Sequence, residues 1–136
     1  MKIGFFEIKN WEKKFLKKRL RNLYVEFYPF ALEESNWKIA KKFDIISVFI
    51  YSRINKEVIS SLPSLKLITT RSTGFDHIDL KEAKKRKILV CNVPFYGENT
   101  VAEHIFALIL SLSRNVHKSY LRTLRGDFSI EGLKGF

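Results

Sequence analysis

The sequence predicts an α/β fold built on a parallel β-sheet of five strands. Short apolar runs alternate with segments of helical spacing from the amino terminus to residue 91, the pattern typical of consecutive right-handed βαβ units. The run at residues 45–51 is apolar at almost every position, as strands are when helices cover both faces of a parallel sheet. These two observations predict a doubly wound sheet.

The elements follow in order along the chain. Apolar or alternating runs predict strands at residues 2–6, 24–28, 45–51, 65–70 and 88–91. Side chains able to cap a helix precede the intervening helices, at Asn10, Ser35, Asn55 and Asp79. Glu82 stands three residues after the last of these caps and strengthens that helix start. Five strands in this alternation predict a flavodoxin-like fold.

A longer helix is predicted after the fifth strand. Thr100 and Glu103 fit a T-x-x-E capping box, and the helical pattern runs to about Leu124. Residues 105–112 are apolar nearly all round, which a helix on a protein surface should not be. We therefore expect a second domain or subunit to cover this helix, and we predict a homodimer formed through it. The predicted divisions are a lobe at residues 1–98, the helix at 99–125 and a tail at 126–136.

The formal net charge of +11 raises the question of a nucleic-acid partner. The basic residues cluster at positions 13–21 and 84–87, where they fall on the polar sides of amphipathic helices. This pattern favours solvated helix faces over a phosphate-binding surface, because no element that could read bases accompanies the charge. Nucleic-acid binding is therefore ranked last among the possible functions.

The compartment is predicted from the cysteine content and from the absence of targeting signals. Cys91 ends an apolar run and is interpreted as a small buried residue in a reducing environment. The sequence contains no signal peptide and no apolar run of about 18 residues. We expect a cytoplasmic protein with no membrane contact.

The sequence offers no clear catalytic or metal-binding constellation. The six glycines form neither G-x-G-x-x-G nor a P-loop, and the three histidines and one cysteine lack metal-site spacing. Asp76 and His77 are neighbours in a turn, where a structural role is favoured. Glu103 and His104 are neighbours on a helix, so their side chains diverge by roughly 100°.

The turn after the fourth strand is the best candidate site. Thr73 and Gly74 can offer backbone N–H groups to a carboxylate, and Gly74 is expected to allow a positive φ and a close approach. Tyr51 follows the third strand and Tyr96 follows the fifth. The carboxyl ends of parallel strands share one edge of the sheet, so a small-anion site is predicted there.

Three stretches resemble the D-isomer-specific 2-hydroxyacid dehydrogenases in order and spacing. They are RSTGFDHID at 71–79, CNVPFY at 91–96 and NTVAEH at 99–104, and the tyrosine at 96 is most similar to the D-lactate dehydrogenase branch. The resemblance implies a flavodoxin-like substrate lobe, joined by the long helix to a Rossmann domain and paired as a two-fold dimer. It also implies that Thr73 and Gly74 hold the substrate carboxylate, that Tyr51 and Tyr96 wall the pocket, and that Val101 lies near the nicotinamide ring of NAD.

Departures from the family pattern limit what the resemblance implies. Gly97-Glu98 stands where Ser-Pro often follows the tyrosine, which weakens the lactate assignment relative to glyoxylate, hydroxypyruvate or another 2-oxoacid. The family's catalytic Arg, Glu and His and its glycine-rich cofactor motif correspond to positions beyond Phe136. We therefore expect a truncated gene product or a fragment that neither binds NAD tightly nor has dehydrogenase activity alone. The alternative is a non-catalytic, dimeric carboxylate-binding or interaction module.

Overall fold

A computed structural model describes residues 1–135 and divides the chain into two compact units, Met1–Pro94 and a second that begins at Phe95. The first unit contains all the strands and most of the helices. Its elements are β1 (Lys2–Phe5), α1 (Asn10–Arg19), β2 (Tyr24–Phe27), a 3₁₀ helix (Trp37–Lys42), β3 (Ile45–Val48), α2 (Lys56–Ser60), β4 (Leu67–Thr70), α3 (Leu80–Lys85) and β5 (Leu89–Cys91).

The five strands form one sheet in the order β2-β1-β3-β4-β5, and every neighbouring pair is parallel. This is the flavodoxin-like arrangement, so the predicted fold class is confirmed. Each strand spans only three or four residues. The strands are shorter than predicted because the apolar runs continue into the loops before or after them.

Apolar side chains cover both faces of the sheet, as a doubly wound fold requires. Phe43 and Ile46 belong to the larger core cluster, whereas Ile3 and Phe5 pack with Leu16 of α1 in a smaller cluster. Successive strand residues point to opposite faces, so β1 supplies one cluster through alternate positions. The other face of β1 passes close to Phe43 at Gly4, where a Cβ atom would lie 2.5 Å from the ring.

Two of the four predicted helix caps are confirmed. The side chains of Asn55 and Asp79 accept hydrogen bonds from the N–H groups of Val58 and Glu82, at 3.1 and 2.9 Å. The predictions for the first two helices are wrong by one residue each. Lys9 and Asn36 occupy the N-cap positions there, and Asn10 is already helical. Glu12 satisfies the start of α1 instead, since its carboxylate accepts from the N–H of Lys9 at 2.8 Å.

The second unit contains two helices in place of the single one predicted. They are α4 (Glu98–Ser113) and α5 (Val116–Leu124). Asn115 separates them with φ of +53°, a left-handed conformation that asparagine tolerates and an α-helix cannot include. Its amide nitrogen Nδ2 donates to the carbonyls of Leu133 and Lys134. The tail therefore stabilises the break.

The predicted capping box at the start of α4 is also wrong. The helix begins at Glu98, with Gly97 at the N-cap position, so Thr100 and Glu103 already lie inside it. No residue of α4 or α5 is buried. No helix in the described part of the chain is both long and apolar enough to cross a membrane.

Cys91 is exposed and is not the buried residue that the sequence predicted. It ends β5, and β5 pairs with β4 alone. An edge strand has no neighbour on its far side, so its apolar run is only partly covered. Leu89 in the same strand is exposed for the same reason.

Candidate carboxylate-binding site at the carboxyl ends of the strands

The turn between β4 and α3 offers free backbone donors at the carboxyl edge of the sheet. Thr73 and Gly74 are exposed, and within residues 1–135 neither N–H group donates a hydrogen bond to the protein. Adjacent free N–H groups in a turn form a concave donor surface suited to an anion. The position is also the one at which open α/β sheets bind ligands. The turn can therefore hold a carboxylate.

A chain of side-chain hydrogen bonds fixes the shape of this turn. The hydroxyl of Ser72 donates to the carbonyl of Gly74 at 2.7 Å, so its oxygen can only accept from the Thr70 hydroxyl, 2.6 Å away. Thr70 in turn must accept from Nε2 of His77, at 3.2 Å. These directions assign the Nε2–H tautomer to His77. Because Ser72 and Thr70 are buried, the network holds the turn from below.

The environment of His77 favours its neutral form. Burial lowers the pKa of the imidazole, against the opposing influence of the Glu7 and Asp76 carboxylates. The favoured interpretation of the Asp76-His77 pair as turn structure agrees with this network. Within the described residues, no group of three or more His, Cys, Asp or Glu side chains lies close enough to hold a metal ion.

The segment after β5 is bonded to the same turn. The Thr73 hydroxyl donates to the carbonyl of Val93 at 3.0 Å, and the Asn92 amide donates to the carbonyl of Thr73 at 2.8 Å. The N–H of Val93 donates to the carbonyl of Ser72 at 3.1 Å. Two of these bonds use the hydroxyl hydrogen and the carbonyl of Thr73, so within residues 1–135 its N–H group remains free.

Gly74 differs from the prediction in its backbone conformation. The φ of Gly74 lies outside the left-handed region. A positive φ is therefore not the reason for a glycine at this position. A Cβ atom added at Gly74 would meet nothing within 4 Å. The open space above the residue is what the glycine provides, and a ligand can approach its N–H group through that space.

Tyr51 lies in the loop that follows β3, here called the Tyr51 loop. The carboxylate of Glu7, two residues after β1, holds this loop. Oε2 of Glu7 accepts from the N–H groups of Phe49 and Ser52 at 2.8 and 3.1 Å and from the Ser52 hydroxyl. Oε1 accepts from the N–H of Tyr51 at 2.8 Å. The loop backbone is thus fixed, while the Tyr51 side chain is 75% exposed.

Arg71 ties the turn to the ends of β1 and β3. Its guanidinium donates to the carbonyls of Phe6 and Glu7 at 2.8 and 3.1 Å and to the Ser47 hydroxyl at 3.1 Å. Its Nε atom lies 3.4 Å from a carboxylate oxygen of Glu12, without the geometry of a hydrogen bond. Burial lowers the pKa of Arg71, and Glu12 and Glu7 oppose that effect. The side chain therefore acts as an internal clamp.

A groove of about 500 Å³ lies beside the Tyr51 loop. Tyr51, Asp76 and His77 are among the residues that line it. The N–H of Ile54 donates to the carbonyl of His77 at 2.8 Å, and this bond holds the loop against the turn. Thr73 and Gly74 are not part of the lining. The structure thus brings Tyr51 beside the far end of the turn.

The other two predicted site residues belong to the second unit. Tyr96 comes shortly before α4, and Val101 lies in the first turns of that helix. Both side chains are exposed. Their predicted roles therefore remain predictions.

Sequence reasoning missed Glu7 and Arg71. Arg71 directly follows β4 and Glu7 lies two residues after the end of β1, both at the carboxyl edge of the sheet, and that position was the available signal. A charged side chain directly after a buried strand of a parallel sheet lies where the loops converge. No local pattern reveals the hydrogen-bond partners of these two residues, because Glu7 and Tyr51 are 44 residues apart and Glu7 and Arg71 are 64 residues apart.

Comparisons with known proteins agree with this architecture. The family model described as "D-isomer specific 2-hydroxyacid dehydrogenase, catalytic domain" matches residues 4–126. A 2-hydroxyacid dehydrogenase homolog from Haemophilus influenzae is 34% identical over 140 aligned residues, which cover 100% of this chain and 42% of the relative. The D-lactate dehydrogenase of Escherichia coli is 33% identical, with 100% and 43% covered.

The fold also matches solved structures. The D-lactate dehydrogenase from Aquifex aeolicus, solved in complex with NAD and lactic acid, superposes with a TM-score of 0.91 at 36% identity, over 98% of this chain and 40% of that one. This chain thus spans about two fifths of the length of the curated relatives above. The match nonetheless includes the sheet, the turn after β4 and most of the second unit. The chain therefore belongs to the D-isomer specific 2-hydroxyacid dehydrogenase family, and its match lies within the catalytic domain of that family.

Proposed function

We propose that this chain is the substrate-binding lobe of an NAD-dependent dehydrogenase that reduces a small 2-oxoacid to the D-2-hydroxyacid. Thr73 and Gly74 bind the substrate carboxylate through their N–H groups, and Tyr51 and Tyr96 wall the pocket. The substrate class is that of the D-lactate dehydrogenase-like branch. The observation that carries the proposal is the pair of free N–H groups in a turn fixed by buried hydroxyls.

The bound carboxylate orients the rest of the substrate. Two N–H donors fix both the position and the direction of a carboxylate, so the bond from the carboxylate carbon to the 2-oxo carbon points in one direction relative to the turn. The open space at Gly74 accommodates the carboxylate without displacing protein atoms. Burial lowers the pKa of His77 beneath the turn, so the backbone N–H groups, and not a charged imidazole, are the donors proposed to bind the carboxylate.

The described residues do not suit this chain as the main binding site for NAD. NAD supplies the hydride in the proposed reaction. The described residues include no glycine-rich turn of the kind that cradles a pyrophosphate, and the first turn of α4 carries the acidic Glu98. Val101, an exposed apolar residue, is proposed only to lie against the nicotinamide ring. We therefore propose that the chain alone has no dehydrogenase activity and no tight affinity for NAD.

The test is a titration of the ¹⁵N-labelled chain with pyruvate. The amide resonances of Thr73 and Gly74 should shift saturably, whereas acetone, which lacks the carboxylate, should leave them unchanged. Gly74→Val should weaken pyruvate binding at least tenfold because its side chain fills the open space above the turn. The matched control is Ser64→Val, an exposed position at the opposite edge of the sheet, which should bind like the wild type.

Two results would contradict this proposal. One is the absence of any saturable shift at Thr73 and Gly74 up to about 100 mM pyruvate, which is well beyond the usual KM range. The other is equal affinity of the wild type and Gly74→Val. Thermal unfolding of each variant shows whether a loss of binding comes from a loss of fold.

A second candidate function is a non-catalytic, dimeric carboxylate-binding module. The observation that favours it is α4, on which Val101, Phe106 and Leu110 are exposed together with most other apolar residues of the helix. An apolar surface of this extent is typical of a subunit or domain interface. We propose a homodimer through the α4–α5 segment. Sedimentation at micromolar concentration should give twice the chain mass, and a monomer would overturn the dimer.

A further inference from the structure

We propose that Glu7 is a positioning residue for the substrate pocket, which holds the Tyr51 loop and the carboxylate-binding turn in one fixed arrangement. This inference rests on the proposed function of Tyr51, Thr73 and Gly74. No sequence motif marks Glu7, and its role follows from its contacts alone.

The Glu7 carboxylate replaces the backbone partners that the loop after β3 lacks. The strand ends at Val48, so the N–H groups that follow it have left the sheet ladder. Three of them, from Phe49, Tyr51 and Ser52, donate to the two oxygens of Glu7. A carboxylate has enough lone pairs to accept all three, together with the Ser52 hydroxyl. The loop conformation is therefore set by one side chain.

The backbone of Glu7 is itself held in an unusual conformation. Its φ of +57° lies in the left-handed region, which a residue with a Cβ atom occupies only when its surroundings enforce it. Its N–H donates to the carbonyl of Phe30 at 3.0 Å. Its carbonyl accepts from Arg71 at 3.1 Å. These bonds aim the side chain toward the loop.

Glu7 thereby connects two parts of the proposed site that are distant in sequence. Arg71 directly precedes the turn that contains Thr73 and Gly74, and it binds the Glu7 backbone. The carboxylate of Glu7 accepts a hydrogen bond from the N–H of Tyr51. A displacement of Glu7 therefore moves the tyrosine relative to the turn. The Arg71 guanidinium also offsets the negative charge of Glu7 next to an anion site.

Glu7→Gln tests the role with almost no change in side-chain volume. The amide oxygen of glutamine can keep the bonds to Phe49 and Ser52, and the amide NH₂ group then faces the N–H of Tyr51. Two donors cannot bond to each other, so Tyr51 should be released. The matched control is Glu57→Gln, which removes the same charge from an exposed glutamate in α2.

The experiment combines amide hydrogen exchange with pyruvate titration of the full 136-residue chain. In Glu7→Gln the Tyr51 amide should exchange at least tenfold faster, and the Kd for pyruvate should rise at least fivefold. Glu57→Gln should change neither quantity. Glu7→Asp keeps the charge but is one methylene shorter, so it should loosen Tyr51 and weaken pyruvate in the same way.

The outcomes separate this inference from the proposed function. Unchanged Tyr51 exchange, or faster exchange with an unchanged Kd, would overturn the positioning role while pyruvate binding by the wild type stands. No pyruvate binding by the wild type would overturn the proposed function and the substrate role of Glu7 with it. If both Glu7 variants unfold, Glu7 is a determinant of the fold and the positioning role is overturned.

Discussion

Nε2 of His77 lies 3.2 Å from the hydroxyl oxygen of Thr70 and donates to it, because the hydroxyl hydrogens of Thr70 and Ser72 are committed elsewhere. Burial lowers the pKa of His77 from its ordinary value of 6.5. The unfolded chain therefore takes up the proton first as the pH falls. We expect the contribution of His77 to the free energy of unfolding to be greatest above pH 6.5 and to decrease as the pH falls from 6.5 through the lower pKa of the folded state.

Chemical denaturation between pH 5 and 8 measures this dependence. His77→Gln can still donate to Thr70 through its amide, so the variant should fold but lose part of the pH dependence in that interval. His104→Gln, at an exposed position of α4, should keep the wild-type profile. An unchanged profile in His77→Gln would show that another group causes the dependence.

Glu26 should remain ionised in unusually acidic solution. Lys42 Nζ lies 2.7 Å from both of its carboxylate oxygens, and the hydroxyls of Tyr24 and Tyr28 also donate to them. These bonds lower the pKa of Glu26 from 4.5 to about 2. The stabilisation is therefore complete above pH 4.5 and is lost as the pH falls from 4.5 through 2.

A ¹³C titration of the Glu26 carboxyl carbon measures this pKa directly. Lys42→Met removes the largest cause of the shift, so its midpoint should move back toward 4.5. Lys41→Met neutralises the neighbouring exposed lysine and should leave the midpoint near 2. A wild-type midpoint close to 4.5 would contradict the hydrogen-bonded arrangement.

Arg71→Met should destabilise the first unit by at least about 2 kcal/mol. The substitution leaves the carbonyls of Phe6 and Glu7 and the Ser47 hydroxyl without their charged donor, and each bond to a charged group contributes about 1.5–3 kcal/mol. Urea unfolding followed by circular dichroism gives the difference. Arg21→Met, at an exposed position after α1, should change the free energy of unfolding by less than about 0.5 kcal/mol. Equal effects of the two variants would refute the clamp role.

Gly4→Ala should cost about 1–3 kcal/mol of unfolding free energy, the usual range for overpacking a core. The added methyl would lie 2.5 and 2.6 Å from two ring atoms of Phe43. Gly74→Ala provides the matched control, because its methyl meets nothing within 4 Å. In a Phe43→Ala background the cost of Gly4→Ala should fall, since Cγ, Cδ2 and Cε2 of the ring are absent. An undiminished cost would place the strain elsewhere.

The sequence predicts the sheet because each strand is marked by its own residues. Helix caps are equally local, and those at Asn55 and Asp79 are confirmed because each bonds to an N–H group three residues away. The break at Asn115 was missed because the apolar spacing continues across it, through Val116 and Leu121. The contacts that stabilise the break come from the tail.

The candidate site was only partly predictable for a related reason. Thr73 and Gly74 could be located because a turn after a strand of a parallel sheet lies at the carboxyl edge of the sheet, where ligands bind. Their support could not be predicted, since the bonds of Glu7 and Arg71 span 44 and 64 residues. The exposure of Cys91 depends on the strand order. It could not be predicted, because the sequence pattern of an apolar strand does not show whether the strand lies at the edge or in the centre of the sheet.

The strand order also bears on how the sheet can assemble during synthesis. In the order β2-β1-β3-β4-β5, each strand after β1 pairs with one that precedes it in the chain. No strand has to wait for a later one to leave the ribosome. Because chains fold from the amino terminus as they emerge, the sheet can grow one strand at a time, with β1 as the template on both of its sides. The carboxyl edge that carries the candidate site is then completed last, when Asn92 and Val93 form their hydrogen bonds with the turn after β4.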